Sequence, residues 1–302
     1  MIINVIISDS SIKLTNQTEN YILMKTVFYI NCRGKLLEIT TPIVMGIINL
    51  TDNSFYAGSR YNTEKEILNR VETIINEGGK IVEIGACSTR PGVVLENSQQ
   101  EIDKIVSALN IIRKHFPNIS IAVDTFRSEV AQKAIIEGEA DIINDISGGE
   151  LDNKMFDTIA NLNVPYILTH IKGTPQTMQQ NPHYENLIGE IMIDLAQKVD
   201  ILRKKGVNDI IIDPGFGFGK TLDQNYELLK NLKQFRIFGL PIMVGISRKT
   251  MIYNFLNIKP EDALNGTTIL NCIALLKGAN ILRVHDVKEA VETINLIQKL
   301  TS

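Results

Sequence analysis

The sequence has few cysteines, no long apolar run and no excess of positive charge, and each absence excludes a class of protein. Its three cysteines, Cys32, Cys87 and Cys272, are widely spaced, so they support neither a disulfide framework nor a CxxC metal site and fit a reducing cytoplasm. A net charge of −3 gives no electrostatic footprint for nucleic acid or a membrane surface. No apolar run reaches the roughly 18 residues of a membrane span. Residues 1–7 lack the basic segment and cleavage site of a signal peptide. We therefore expect a cytoplasmic protein that binds neither nucleic acid nor membrane.

Several short motifs with a known chemistry are also missing. The chain has no GxGxxG, no GxxxxGK[ST], no evident Ser-His-Asp set and no His/Cys cluster with zinc spacing. The run Gly215-Phe216-Gly217-Phe218-Gly219 is rich in glycine, but its spacing is not that of a phosphate-binding P-loop. Because these motifs are absent, we look for functional residues among the polar side chains at the ends of the predicted strands.

Apolar strand patterns alternate with amphipathic helical patterns from residue 42 onward. The predicted strands are 42–50, 80–85, 120–125, 141–146, 164–170, 209–214, 240–247 and 280–287. The predicted helices are 64–76 (with Thr63 as its cap), 99–115, 128–137, 151–160, 187–205, 221–231, 261–276 and 288–299. This number of repeats over about 260 residues is typical of an α/β protein of the (β/α)8 TIM-barrel class, with a doubly wound open sheet as the alternative.

The N-terminal part differs from the rest. Residues 27–39 alternate in polarity around Arg33-Gly34 and predict a short β-hairpin that plugs the bottom of the barrel. Residues 1–23 are irregular, and we expect an N-terminal extension that is either disordered or not translated. Residues 24–302 show no internal repeat or linker, which predicts a single barrel domain.

The stretch Ile210-Ile211-Ile212-Asp213-Pro214-Gly215 shows how the strands end. Three β-branched residues predict a strand buried on both faces, and Asp213 stands at its carboxyl end, where α/β folds bind their ligands. The other predicted strands also end in polar residues, which would meet at one mouth of a barrel: Asn49, Glu83, Asp124, Asn144, Asp145, His170, Ser247, Arg248, Lys249, Arg283, His285 and Asp286.

These side chains divide into two chemical sets. Asp124, Asn144 and Asp213 offer carboxylate and amide groups that pair with adjacent N–H donors of a flat nitrogen heterocycle, and Lys249 can meet a ring carbonyl or nitrogen. The second set is suited to a phosphate or diphosphate and consists of Asn49, Thr89, Arg90, Arg283 and His285. Asn49 also offers a hard oxygen for Mg²⁺, which would bind mainly through the phosphates and keep several waters. The predicted ligand is a planar N-heterocycle joined to a diphosphate.

Four other strand-end residues have structural interpretations that compete with functional ones. His170 is as easily a satisfied core histidine as a ligand. Arg248 fits an ion pair at the barrel rim, Asp286 fits a helix cap, and Asp145 fits a cap or turn.

Taken in order, the motifs resemble those of the dihydropteroate synthases. The matching segments span roughly residues 27–300: MGIINLT (45–51), STRPG (88–92), VDT (123–125), IND (143–145), HIKGTPQTM (170–178), DPGFGFGK (213–220), GISRK (245–249) and RVHDV (283–287). The resemblance implies a transferase of folate biosynthesis that joins 4-aminobenzoate to 6-hydroxymethyl-7,8-dihydropterin diphosphate. By position, the pterin site would be Asp124, Asn144, Asp213 and Lys249, and the diphosphate site Asn49, Thr89, Arg283 and His285. The aminobenzoate site would be Phe55, Arg90, Pro91, Phe218 and Thr250.

The resemblance further implies a Mg²⁺ cofactor held in part by Asn49, a cytoplasmic homodimer and a sulfonamide target. It implies that diphosphate leaves first, neutralised by the metal, Arg283 and His285, and that the pterin cation is then attacked by the aryl amine. The chain departs from the family in two loops. Loop one reads Thr51-Asp52-Asn53-Ser54-Phe55 in place of the usual TPDSF, and has Ala57 where Asp is common. Loop two has Glu83-Ile84-Gly85-Ala86-Cys87-Ser88 in place of DIGGES.

Two other functions stay open at this point. A pterin-dependent methyltransferase on a related barrel would use similar carboxylates and amides, although the chain has no corrinoid-binding region. A non-catalytic pterin binder would retain the pterin set with altered loops.

Overall fold

A computed structural model of the chain describes residues 27–50, 63–87, 97–174 and 177–301. Its strands are β1 (Phe28–Cys32), β2 (Lys35–Ile39), β3 (Ile43–Asn49), β4 (Ile81–Gly85), β5 (Ser120–Asp124), β6 (Ile142–Asp145), β7 (Tyr166–Thr169), β8 (Ile210–Asp213), β9 (Met243–Val244) and β10 (Ile281–Val284). Its helices are α1 (Glu64–Asn76), α2 (Ser98–His115), α3 (Ser128–Ile136), α4 (Met155–Leu162), α5 (Leu187–Lys204), α6 (Leu222–Asn231), α7 (Thr250–Leu256), α8 (Leu264–Leu276) and α9 (Val287–Thr301).

The eight strands from β3 to β10 form one parallel sheet that curls into a barrel. Their spatial order is β8-β7-β6-β5-β4-β3-β10-β9. A parallel bridge between Ile212 and Ile242, with a 2.9 Å hydrogen bond from the Ile212 amide to the Pro241 carbonyl, joins the two outer members. This closure confirms the (β/α)8 class and excludes the open doubly wound sheet.

The aliphatic strand residues pack on two different cores because successive side chains of a strand point to opposite faces. Val44 and Ile48 of β3 belong to the large cluster between barrel and helices, whereas Ile43 and Met45 face the barrel interior. The near-continuous aliphatic runs therefore reflect burial on both faces, as expected for a parallel barrel.

The N-terminal hairpin closes the amino-terminal end of the barrel, as predicted. Arg33 and Gly34 both have positive φ (52° and 79°), the backbone that a tight two-residue hairpin turn requires. Ile30, Cys32 and Ile39 pack in one cluster with the first inward residues of the barrel strands. The carboxyl ends of the strands, at the other end of the barrel, stay available for a ligand.

Helix starts largely follow the sequence signals. Thr63 caps α1 in a capping box with Glu66, as its position predicted, and Thr221 caps α6 in the same way. The prediction for 151–160 was placed too early, because Asp152 turns the chain and α4 begins at Met155. Likewise, a 3₁₀ turn at Pro260–Asp262 delays α8 to Leu264.

Three further features differ from the sequence prediction. α7 was not predicted, and a 3₁₀ helix at Leu232–Phe238 extends α6. The strand predicted over 240–247 has ladder pairing only at Met243–Val244, since the chain beyond it turns into the site. The N-terminal extension predicted for 1–23 lies outside the described residues, and the single-domain boundary at 24 stays a prediction.

Candidate active site

Five polar side chains stand inside the barrel toward its mouth. Each follows by two residues an apolar residue of the plug end, so strand alternation places it inward and nearer the mouth. The pairs are Ile81 and Glu83, Ala122 and Asp124, Ile142 and Asn144, Ile211 and Asp213, and Ile281 and Arg283. Strand register then sets neighbours side by side, Asp124 opposite Asn144. The barrel thus brings together the residues that the sequence placed at separate strand ends.

Asp213 is the buried carboxylate at the end of β8. One oxygen, Oδ1, accepts a 2.8 Å hydrogen bond from the Gly215 amide, and Gly215 turns the chain away with φ of 76°. Burial raises the pKa of Asp213, an effect that the nearby positive charge of Lys249 partly offsets. A ligand that donates N–H groups to this carboxylate would favour its charged form.

Lys249 crosses the site from the segment that precedes α7. Its Nζ donates a hydrogen bond to the Phe216 carbonyl and lies 4.5 Å from the centre of the Phe218 ring. Burial lowers the pKa of Lys249 to about 8, although the charge of Asp213 acts in the opposite direction. The ammonium group is therefore placed between a carboxylate and an aromatic face.

Arg283 is held by two carboxylates. Its Nε donates to Oε2 of Glu83 at 2.6 Å, and its Nη2 donates to Oδ2 of Asp124 at 2.9 Å. The other oxygen of Glu83 accepts a 2.6 Å hydrogen bond from Nδ2 of Asn144. Although about 22% of the Asp124 side chain stays exposed, desolvation and the charge of Glu83 raise the pKa of Asp124 to about 7, against the opposing effect of Arg283.

His285 follows β10 and contacts Ser247. The hydroxyl of Ser247 accepts a hydrogen bond from the His285 amide at 3.2 Å and lies 3.0 Å from Nδ1, which favours the tautomer protonated on Nε2. Burial and the neighbouring Arg283, Arg248 and Arg70 charges lower the pKa of His285 to about 3. In the ligand-free protein the lowered pKa favours a neutral ring that can offer one N–H donor. The role of His285 in neutralising diphosphate charge stays a prediction.

These residues surround a cavity of about 450 Å³ at the mouth of the barrel. Its lining includes Asn49, Asp124, Phe218, Lys249, Thr250, Arg283 and His285 from the predicted set. Asn144 and Asp213 are almost fully buried and are not part of the lining, but they adjoin it through Glu83 and Lys249 respectively. Phe55, Thr89, Arg90 and Pro91 lie outside the described residues.

The structural interpretations hold for the remaining strand-end residues. Arg248 pairs with both carboxylate oxygens of Asp286 at 2.9 and 2.8 Å, as expected for an ion pair at the rim. Asp286 also directly precedes α9, the position expected of a helix cap. Asp145 accepts hydrogen bonds from the Ser147 amide and the Tyr166 hydroxyl, both at 2.7 Å, and so stabilises a turn. His170 is buried, with its Nδ1 3.0 Å from Nζ of Lys220.

Two residues of the site were missed as participants. Glu83 stands in the sequence as one strand end among several, yet in the structure it joins Arg283 to Asn144. Lys220 closes the segment DPGFGFGK, and in the structure it is buried against the carbonyls of Gly215 and Phe218 at 2.8 and 3.0 Å and lines the cavity. The available signal was a lysine at the end of a glycine-rich loop, where backbone carbonyls are at hand as hydrogen-bond acceptors.

Metal binding by protein side chains alone has little support in the described part of the chain. No group of three or more His, Cys, Asp or Glu residues is arranged there to hold an ion. Asn49, at the end of β3, lines the cavity and carries one amide oxygen that could serve as a ligand. Such a donor set fits Mg²⁺ only if phosphate oxygens and water complete the coordination. Across the same described residues, no helix is long and apolar enough to cross a membrane.

Known proteins of similar sequence include several dihydropteroate synthases. The Escherichia coli (strain K12) dihydropteroate synthase is 36% identical over 272 residues, which cover 89% of this chain and 95% of that protein. The enzyme of the same name from Synechocystis sp. is 38% identical over 260 residues, covering 85% of this chain and 89% of that protein.

Solved structures agree with the sequence comparison. The Yersinia pestis dihydropteroate synthase in complex with a sulfonamide drug superposes with a TM-score of 0.86 at 34% identity, covering 91% of this chain and 99% of that one. The Xanthomonas albilineans enzyme with 4-aminobenzoic acid gives a TM-score of 0.82 at 30% identity, with 92% and 99% covered. Residues 45–285 match the pterin binding enzyme family. The chain therefore belongs to the pterin binding enzymes and, among them, to the dihydropteroate synthases.

Proposed function

We propose that this protein condenses 6-hydroxymethyl-7,8-dihydropterin diphosphate with 4-aminobenzoate to give 7,8-dihydropteroate and diphosphate, a step of folate biosynthesis. The observation that carries the proposal is the convergence of Asp213, Asn144 and Arg283 in one barrel mouth, joined through Lys249 and Glu83. Residues suited to a flat ring and residues suited to phosphate thus adjoin the same cavity.

The pterin ring fits the deeper half of the site. Asp213 and Asp124 supply carboxylate oxygens for its N–H groups, and the buried Oδ1 of Asn144 has no hydrogen-bond partner among the described residues. Lys249 supplies a donor for a ring carbonyl or nitrogen. Because these groups are desolvated, a ring that satisfies them gains affinity, and one that lacks the matching groups is rejected.

The diphosphate fits the outer half, at Arg283, His285 and Asn49. Burial alone would lower the pKa of Arg283, but the charges of Glu83 and Asp124 outweigh it and raise that pKa above its usual value, so Arg283 offers a permanent positive charge. His285 offers an N–H donor. Mg²⁺ bound to the diphosphate would withdraw charge from the leaving group, with Asn49 as its protein contact. Thr89 would complete this half.

The chemistry follows from this separation. The bond between the pterin methylene carbon and the diphosphate oxygen breaks, and diphosphate keeps the electron pair. The positive charge left on the pterin is stabilised by the nearby carboxylates Asp124 and Asp213. The amine of 4-aminobenzoate then forms the new C–N bond and loses a proton. Phe218 and Thr250, with Phe55, Arg90 and Pro91, would shape the site of this second substrate.

The wider biology of the family is part of the proposal. We infer a homodimer in the cytoplasm, and inhibition by sulfonamides, which resemble 4-aminobenzoate in shape and charge. The solved relatives that carry a sulfonamide or 4-aminobenzoic acid support this inference by similarity. The altered loops one and two make turnover rate, rather than pterin affinity, the property in which this chain is expected to differ from its relatives.

A coupled assay tests the function. Purified protein is mixed with pterin diphosphate, with and without 4-aminobenzoate and Mg²⁺, and both diphosphate release and dihydropteroate are measured. We expect multiple turnovers only when all components are present. Binding of pterin diphosphate with no release would instead identify a non-catalytic pterin binder. Methyl transfer from methyltetrahydrofolate, measured in parallel, would identify the methyltransferase alternative.

A further inference from the structure

Glu83 is a buried acidic residue that contacts both halves of the proposed site. Only 1% of it is exposed. Its Oε1 accepts from Asn144, in the pterin half, and its Oε2 accepts from Nε of Arg283, in the diphosphate half, each at 2.6 Å. An ionised carboxylate can only accept hydrogen bonds, so both partners must present donors to it.

This constraint determines which way the Asn144 amide points. Its NH₂ group faces Glu83, and a flipped amide would place Oδ1 against a carboxylate oxygen, with two acceptors in contact. The oxygen Oδ1 is thereby turned away from Glu83, and it is buried without a partner among the described residues. A buried acceptor without a donor is costly, so this atom is suited to a donor that a ligand brings.

The second oxygen of Glu83 orients the guanidinium of Arg283. With Nε on Glu83 and Nη2 on Asp124, the plane of the guanidinium is fixed by two neighbouring strands. Among the described residues, Nη1 has no hydrogen bond of its own. The same carboxylate therefore orients one group of each half.

We propose that Glu83 is a positioning residue that turns the Asn144 oxygen toward an N–H of the pterin ring and holds Arg283 at the boundary with the diphosphate. The inference rests on the proposed function, since it names the role of a further residue in the same site. Glu83 does not line the cavity, so it would act through Asn144 and Arg283. Glu83→Asp keeps the carboxylate and is the conservative variant.

The test compares the affinity of free 6-hydroxymethylpterin, measured by calorimetric titration, for wild type and variants. Glu83→Gln keeps the shape of the side chain, but its amide has one acceptor oxygen and one NH₂ group. It therefore cannot accept hydrogen bonds from Asn144 and Arg283 together, and its NH₂ group would face a donor of one of them. We expect pterin affinity to fall about tenfold or more, as for loss of a hydrogen bond to a charged group. The KM for 4-aminobenzoate should change less than about twofold. Glu83→Asp should recover most of the lost affinity.

A matched control separates positioning from a general loss of a buried charge. Glu101 is also 1% exposed and also binds an arginine, Arg127, and a further donor, the Thr125 hydroxyl at 2.8 Å, but neither of these partners lines the cavity, whereas Arg283 does. Glu101→Gln is expected to lower the melting temperature and to leave pterin affinity unchanged. If Glu83→Gln behaves in the same way, Glu83 is only structural and the inference is overturned.

The Asn144→Ala variant keeps the inference testable even if Glu83→Gln does not fold. If Glu83 acts through the amide, Asn144→Ala alone lowers pterin affinity to a similar extent, and the double variant loses less than the sum of the two. Wild-type pterin affinity in Asn144→Ala would overturn the inference, but it would not bear on the proposed function, which the turnover of the wild type tests. Failure of the wild type itself to bind pterin would instead overturn the proposed function.

Discussion

At the residue scale, the site holds an acid and a base whose pKa values bracket a narrow range of pH. The pKa of Asp124 is raised to about 7 and that of Lys249 is lowered to about 8, each chiefly by burial. Below the first value the carboxyl is protonated and neutral, and above the second the amine is uncharged. We expect pterin affinity to rise with pH through about 7, peak between about 7 and 8, and fall beyond, as seen by titration across a pH series.

Lys249→Arg provides the control for this profile. Arginine stays charged throughout the range, so the fall on the alkaline side should disappear even though overall affinity is lower. An alkaline limb that persists in this variant would show that another group, such as Lys220 with its pKa lowered to about 7 by burial, controls the loss.

Residue positions were predictable from sequence where one rule sufficed. Polar residues at the carboxyl ends of parallel strands converge in a barrel. This rule predicts from the sequence that the side chains of Asp124, Asn144, Asp213 and Arg283 lie together. Glu83 escaped assignment because its role depends on two partners, one of them 200 residues away in the chain. Contacts between residues so far apart in the sequence depend on strand register, which the periodicity of the sequence does not specify.

At the element scale, the loop of residues 214–220 determines where Lys249 lies. Lys220 holds the loop from inside through the Gly215 and Phe218 carbonyls, and Phe216 in turn offers its carbonyl to Lys249. The loop can pack this closely only with glycine at 215, where φ is 76° and a Cβ would lie 1.9 Å from the His170 carbonyl oxygen. Backbone fit, rather than ligand contact, accounts for this glycine.

Gly215→Ala should therefore lower both stability and pterin affinity. The Cβ must displace the His170 backbone, so we expect a loss of more than about 3 kcal/mol in the free energy of unfolding, the upper range for a strained backbone site. Denaturant titration and pterin calorimetry measure the two effects.

Gly206→Ala is the matched control. Gly206 also has positive φ (91°), but a Cβ there meets no atom within 4 Å, and the residue follows α5, away from the site. It should cost about 1 kcal/mol from backbone strain alone, with pterin affinity unchanged. Equal losses of stability in the two variants would contradict the packing explanation.

Helices could be predicted from the sequence where an amphipathic pattern begins at a side-chain cap, and poorly where one of the two signals is missing. α1 was bounded correctly because Thr63 and Glu66 form a capping box before an amphipathic run. α7 was missed because it has seven residues and no side-chain cap, and it ends at Asn257 in a left-handed conformation. Such a short helix is stabilised by its packing against the barrel, which a local pattern does not reveal.

At the scale of the whole molecule, the two ends of the barrel have separate tasks. The hairpin closes one end with apolar side chains, and the ligand site occupies the other. Ile39→Ala should lower the free energy of unfolding by about 2–5 kcal/mol, the usual cost of a cavity at a fully buried isoleucine, with pterin affinity unchanged.

Leu36→Ala, in the same strand of the hairpin, tests whether burial is the cause. Leu36 is 68% exposed, so its truncation should change the free energy of unfolding by less than about 0.5 kcal/mol. A large loss of pterin affinity in the Ile39 variant would show that the plug and the mouth are coupled, contrary to this division.

The proposed division of the barrel mouth assigns one half to a flat nitrogenous ring and the other half to a diphosphate. Its most direct test is calorimetric titration of Asp213→Ala and Arg283→Ala, each with free pterin and with pterin diphosphate. Asp213→Ala should lose about 10- to 100-fold or more for both ligands, since it removes hydrogen bonds to a charged group. Arg283→Ala should lose mainly the extra affinity that the diphosphate confers. Unchanged affinity for free pterin in Asp213→Ala would contradict the assignment of the site.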